Sequence, residues 1–249
     1  MTSNNQKRSV KIVAHRGASG QAPENTLASI KAAISAGADC IEVDVHLSRD
    51  GYLVLLHDET LQRTTNGRGK VYDFTYAELE KLDAGSWFAK KFAGESIPAL
   101  KDVLHLTRNQ IELNIEIKAD RPGNQIGRQL ATLLEQEKAI ERCIVTSFDQ
   151  ALISNVKSMN PNIRTGFIFK KADSTVFSGL WEILSCKHRF VDKRFITQAR
   201  ATGKEIHVWT VNSRRQMRRL YKLGVDAIIT DYPDRLKRLV DEISTASRL

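Results

Sequence analysis

Short apolar runs alternate along this chain with longer stretches whose apolar residues recur every three or four positions. Residues 11–14 (KIVA) form the first run. Residues 26–36 follow, with Leu27, Ile30 and Ile34 on one helical stripe and Gly37 where a helix commonly ends. Further strand-like runs lie at 40–47, 52–56, 113–118, 143–147, 164–169, within 181–188, at 205–211 and at 225–230. Helical spacing covers 102–107, 126–136, 151–158, 195–201, 214–223 and 234–243. Asp50-Gly51 reads as a hairpin-like turn between the second and third runs. Strand–helix alternation implies a parallel sheet. About eight such units in 249 residues predict a closed α/β barrel, a (β/α)8 TIM barrel, as one domain over 1–249. In that architecture reactive groups sit at the C-terminal ends of the strands.

One stretch departs from the rhythm. Residues 58–98 separate the third run from the next helix. They hold turn-rich Thr64-Thr65-Asn66-Gly67-Arg68-Gly69, a capping-box start at Thr75-Tyr76-Ala77-Glu78, and Trp87, Phe88 and Phe92. This reads as an insertion at the barrel mouth, expected to shape the substrate.

Composition narrows the setting. No window of 18 apolar residues exists, so no stable membrane insertion is expected, and no apolar leader precedes the first strand. Three widely spaced cysteines, Cys40, Cys143 and Cys186, read as reduced buried thiols and predict a cytoplasmic protein. The net charge of +9 is scattered, and its densest stretches, 214–219 and 235–238, have the spacing of solvated helix faces. No aromatic residues interleave with them, so nucleic acid is not an expected partner. The oligomeric state is not written in these features.

The strand ends carry the candidate chemistry. Ile41-Glu42-Val43-Asp44-Val45-His46-Leu47 alternates strictly, which places Glu42 and Asp44 on one face. Asn114, Glu116 and Lys118 repeat the device around Leu113, Ile115 and Ile117. In a barrel whose apolar face packs on helices, these polar groups point into the lumen. Crowded carboxylates repel unless a cation or proton intervenes. A hard divalent cation, Mg²⁺ or Ca²⁺, is one answer, and an ion-pair network with Lys118 and Arg16 is the other. His15-Arg16 closes the first strand as His57-Asp58 closes the third, and two such histidines near an arginine and a cation could serve as acid and base in phosphoryl chemistry. Trp209, with inward parity, would form an apolar wall.

The segments AHRGASGQAPENT, IEVDVHLSRDGYLVLLHDETLQRTTNG, IPAL, NIEIK, VWTVN and GVDAIITDYP, in this order over roughly 10–240, resemble the glycerophosphodiester phosphodiesterase family. The resemblance implies a (β/α)8 barrel with a small insertion, and metal-dependent hydrolysis of small-molecule glycerophosphodiesters to sn-glycerol 3-phosphate and an alcohol. It implies Glu42, Asp44 and Glu116 as metal ligands, and His15 and His57 as catalytic base and acid, which histidine takes which role staying open. Arg16 and Lys118 would neutralise phosphate, and Glu24 of PENT would support the metal or substrate network. Two other functions compete: lysophospholipase D-like cleavage of lysolipids, suggested by Trp87, Phe88 and Phe92, and an inactive barrel that binds a phosphodiester or a protein.

Overall fold

A computed structural model describes residues 10–119, 125–171 and 174–246. The chain begins with β1 (Lys11–His15), α1 (Leu27–Ser35), β2 (Cys40–Leu47) and β3 (Leu53–Leu55). The insertion then carries the single-turn α2 (Tyr76–Leu79) and leads into α3 (Leu100–Leu106). β4 (Glu112–Ile117), α4 (Gln125–Gln136), β5 (Cys143–Ser147), α5 (Gln150–Met159) and β6 (Arg164–Phe169) follow. The chain finishes with β7 (Ile183–Lys187), α6 (Lys193–Ala201), β8 (Glu205–Trp209), α7 (Arg214–Leu223), β9 (Ala227–Thr230) and α8 (Pro233–Ala246).

Eight strands are parallel and close on themselves in the order β1-β2-β4-β5-β6-β7-β8-β9, with β9 pairing back to β1. β3 stays outside the ring, antiparallel to β2, so the apolar run at 52–56 is a hairpin arm and not a barrel stave. Gly51 (φ +87°) supplies the turn that joins the two arms.

Local chemistry explains the helix boundaries. The Thr26 hydroxyl accepts from the Ser29 N–H, the Asp149 carboxylate from Ala151 and Leu152, and the Asp192 carboxylate from Phe195, each an N-cap satisfying an otherwise orphaned donor. Gly224 (φ +78°) ends α7 in the left-handed conformation that costs other residues most. Between β6 and β7, where the sequence shows no helical spacing, the described residues hold a short 3-10 helix at Ser174–Phe177. Large rings cover the barrel there, with Phe167 4.7 Å from Trp181 and Phe177 5.5 Å from Phe195 between centroids.

Most of the apolar core lies between strands and helices, where Ile41, Val43, Val45, Leu113, Ile115 and Ile117 are buried against Leu100, Leu104, Leu130 and Leu134. With those residues facing outward, their alternating neighbours must face the lumen. Val13, Cys40, Ala227 and Ile229 form an apolar plug there. Polar side chains follow on the same faces toward the strands' C-terminal ends. Register brings them together: His15 lies beside Glu42, Glu42 beside Asn114, and Asp44 beside Glu116.

The insertion packs on itself and on the hairpin. Leu61, Val71, Leu79, Ala84 and Ile97 form a small core with Val54 and Leu56. The capping box at Thr75 and Glu78 forms as its spacing predicts. Asp83 gathers hydrogen bonds from the backbone N–H groups of Gly85, Ser86 and Gly94 and from the Ser86 hydroxyl.

Candidate active site

At the C-terminal mouth of the ring lies a cavity of about 450 Å³, with His15, His57, Glu42, Glu116, Lys118 and Trp209 in its wall. Arg16 also lines it, with its backbone held at φ +55°, a left-handed conformation uncommon outside glycine. Surrounding bonds impose that conformation. The Arg16 N–H donates to Glu42 Oε2 at 3.0 Å, and the Arg16 carbonyl accepts from Asn25 N–H at 3.0 Å and from the Ser29 hydroxyl at 2.9 Å. Gly17 has φ +81°, and a Cβ there would meet Ser29 within 2.4 Å. The strand therefore turns away abruptly and leaves the Arg16 side chain over the carboxylates.

Glu42, Asp44 and Glu116 offer one oxygen each within 4.8 Å of one another. All three are buried, Asp44 almost completely. Arg16 Nε approaches Asp44 at 3.0 Å and Lys118 Nζ approaches it at 2.6 Å, while Lys118 also pairs with Glu116. Of the two sequence readings, the ion-pair network is therefore present, but it does not balance the charge. Three carboxylates face two cations. Burial, and then the Asp44 charge, push the Glu42 and Glu116 carboxyls above their usual range. Burial would raise Asp44 too, but Lys118 and Arg16 hold it well below that range. An all-oxygen cluster with unrelieved negative charge suits a hard divalent cation.

The two histidines are oriented alike. His15 Nδ1 is 2.7 Å from Asp231, and His57 Nδ1 is 2.6 Å from Asp58. Each ring thus has one nitrogen fixed by a carboxylate and Nε2 left for chemistry. Their environments pull in opposite directions. Burial works against a charged His15, yet the Asp231 hydrogen bond and the Glu42 charge outweigh it and raise its pKa above 6.5. Burial also lowers His57; Asp44 opposes that, but Lys118 and Arg16 add to it, and the net shift is below 6.5.

Glu24 lies outside the cavity wall. It accepts from Arg16 Nη1 at 2.8 Å and pairs bidentately with Arg63 at 2.8 and 2.9 Å, and Arg63 also reaches Asp58 at 2.6 Å. One guanidinium from the insertion therefore ties the support of Arg16 to the support of His57. With the Asp58 bond to His57, this is how the insertion touches the site. No residue of 58–98 lines the cavity, and Trp87, Phe88 and Phe92 pack edge-to-face on one another. The aromatic trio thus lies apart from this cavity.

Three supporting residues escape a periodicity reading. Asn25 donates its amide to Asp44 at 2.9 Å, Asp231 orients His15, and Arg63 bridges Glu24 and Asp58. Asp231 is itself held by Ser19 at 3.0 Å and by Asn212 at 2.5 Å. All of these lie on loops, where no period of two or 3.6 applies. Barrel closure was the available signal for Asp231, because it makes the first and last strands neighbours.

The sequence signature described as the glycerophosphoryl diester phosphodiesterase family matches residues 15–235. The chain belongs to the glycerophosphoryl diester phosphodiesterase family. Glycerophosphodiester phosphodiesterase of Caldanaerobacter subterraneus is 41% identical over 238 residues, covering 92% of this chain and 97% of that one. The Bacillus altitudinis enzyme of the same name is 35% identical over 244 residues, covering 94% and 99%. Among solved structures, an Oleispira antarctica phosphodiesterase in complex with the product sn-glycerol-3-phosphate superposes with a TM-score of 0.89 at 32% identity, covering 93% of this chain and 96% of that one. The phosphodiesterase barrel thus agrees with the fold expected from strand–helix alternation. Among the described residues, no helix is long and apolar enough to cross a membrane.

Proposed function

We propose that this chain hydrolyses small-molecule glycerophosphodiesters to sn-glycerol 3-phosphate and an alcohol, with Mg²⁺ or Ca²⁺ held by Glu42, Asp44 and Glu116. The observation that carries the reading is one cavity in which two carboxylate-oriented histidines face a buried three-carboxylate cluster. A bound divalent cation supplies Lewis-acid polarisation of the phosphoryl group. The rest is done by the chain's own side chains. Arg16 and Lys118 bring positive charge to the non-bridging phosphate oxygens. Trp209 bounds the substrate on the opposite wall. Glu24 acts at one remove, by fixing Arg16 and Arg63.

We assign the proton transfers on the two carboxylate-fixed rings, with the direction of each shift choosing the role. In this assignment His57, the ring biased toward neutrality, takes the proton from the attacking oxygen, that of water or of the glycerol hydroxyl beside the phosphate, as a new P–O bond forms; in the second case water then opens the cyclic phosphate. His15, the ring biased toward its cation, gives a proton to the leaving alkoxide as the old P–O bond breaks. An inactive binding barrel would have no need of two rings, each oriented by its own carboxylate, over one acidic cluster. The same reading takes 1–249 as one catalytic domain, with no nucleic-acid partner and a cytoplasmic setting, which the three buried, unpaired cysteines support.

Release of glycerol 3-phosphate from a glycerophosphodiester, measured before and after chelation, is the test. EDTA should abolish it and a divalent cation should restore it. Glu42→Gln should cut the rate by about 10²-fold or more, the scale of losing part of a metal's charge stabilisation. The fold should not suffer, because glutamine removes the repulsion with Asp44, so thermal stability should hold or rise. Full turnover by this variant in excess chelator would overturn the metal reading.

A further inference from the structure

Three lysines stand at the C-terminal ends of barrel strands with inward parity. Lys118 follows Glu116, Lys170 follows Ile168 by two residues, and Lys187 follows Ser185 by two; Glu116, Ile168 and Ser185 all line the cavity. Their circumstances differ. Lys118 is paired with Asp44 and Glu116. Among the described residues, neither Lys170 nor Lys187 makes an ion pair or a hydrogen bond.

Each of these two rests instead on an aromatic ring. Lys170 Nζ lies 5.7 Å from the centroid of Phe148, and Lys187 Nζ lies 5.8 Å from that of Trp209. Lys187 and Trp209 are register partners on β7 and β8, so that contact is built into the sheet. The two rings meet edge-to-face at 5.9 Å and form one surface at the mouth, with Phe148 45% exposed. Such a pair of rings would ordinarily offer its faces to a quaternary ammonium. Here the chain's own ammonium groups occupy that position. A cationic head group would meet two like charges on an already engaged aromatic surface, whereas an anionic one would meet two cations with no competing carboxylate.

We propose that Lys170 and Lys187, with Phe148 and Trp209, form a leaving-group subsite selective for diesters whose alcohol carries a second negative charge, such as a phosphorylated polyol, over those carrying a quaternary ammonium. The proposal rests on the phosphodiesterase reading of the cavity and adds which alcohol the enzyme prefers. The acidic cluster and the two lysines lie on different strands of the ring, which lets one extended substrate place its diester at the carboxylate side and its second charge at the lysine side. These lysines discriminate among substrates and take no part in proton transfer.

The experiment compares kcat/KM for glycerophosphoinositol 4-phosphate, glycerophosphoinositol and glycerophosphocholine at saturating metal. The native chain should prefer the phosphorylated inositol over its uncharged parent by about tenfold and turn over the choline diester least, the scale expected for partly exposed charges. Raising ionic strength should shrink that ratio, because exposed charges are screened. Lys170→Met combined with Lys187→Met should bring the anionic-to-neutral ratio close to one and raise the choline diester relative to both. Methionine keeps the stem and frees the rings. A preference for choline in the native chain, or equal ratios in the native and doubly substituted chains, would overturn the subsite while leaving the phosphodiesterase reading intact. Insensitivity of the native ratio to salt would do the same without any variant. No turnover of any of the three diesters would instead sink the phosphodiesterase reading, and the subsite with it.

Discussion

His15 and His57 start from the same ordinary pKa and are displaced to opposite sides of it by neighbours that can be named. Asp231 and Glu42 raise the first; burial with Lys118 and Arg16 lowers the second. With the roles proposed for them, the sign for catalysis follows. The base must be deprotonated, so kcat/KM should rise with pH through a value below 6.5 as His57 loses its proton. The acid must be protonated, so kcat/KM should fall as pH climbs through a value above 6.5 and His15 loses its own. The profile is a bell whose two limbs lie on either side of 6.5. His57→Ala should lower turnover by about 10²–10⁴-fold and flatten the ascending limb, and His15→Ala should remove the descending limb. A p-nitrophenyl phosphodiester, whose leaving group needs no proton, should rescue His15→Ala and leave His57→Ala slow. Rescue of the other variant would exchange the two roles.

At the scale of elements, strict alternation in β2 and β4 was enough to place Glu42, Asp44, Glu116 and Lys118 together, because a strand's period of two leaves no choice of face once one face is apolar. The same logic did not reach Asn25, Arg63 or Asp231, which sit on loops whose course is set by left-handed residues and side-chain bonds. The insertion's aromatics lie away from the cavity wall, with Trp87 and Phe92 each packed on Phe88, and two polar residues, Asp58 and Arg63, make the contact with the site. The insertion's own order depends on Asp83. Its carboxylate accepts from Ser86, Gly85 and Gly94, and those bonds hold its pKa well below 3.8. A carboxyl lowered in the folded state stabilises above its unfolded pKa, and the contribution is lost as pH falls through the folded value. At neutral pH it is fully present. Asp83→Ala should therefore release this loop without unfolding the barrel, and brief trypsin treatment at neutral pH should cut after Lys90 or Lys91 while circular dichroism stays native. Equal resistance of variant and native chain would show that the hydrophobic cluster alone orders the segment.

At the scale of the whole molecule, the ring was legible from the count of strand–helix units, since eight parallel strands in this length are better closed than left with two edges. The third apolar run is a hairpin arm, as its turn signal suggests, because Asp50-Gly51 turns the chain straight back on β2. Between β6 and β7 a short 3-10 turn lies under a cover of aromatic rings. Closure also makes the last strand indispensable. A chain ended after Gly224 lacks β9, which exposes the edges of both β1 and β8. It should be unfolded or aggregated by circular dichroism and sedimentation, and recovery of a soluble, cooperatively melting product would argue that the ring tolerates a gap.

The bond between His15 and Asp231 joins residues 216 positions apart. A ribosome makes the histidine near the start of its run and the aspartate near the end, a delay of roughly 10–40 s at about 5–20 residues per second. For the last 115 residues of that interval the nascent chain carries the histidine, the arginine and all three acidic residues, yet lacks the carboxylate that raises the histidine's pKa and the strand that brings it close. The site's histidine support is therefore completed only with the final stave, and a nascent chain halted before Asp231 should show no glycerophosphodiester hydrolysis.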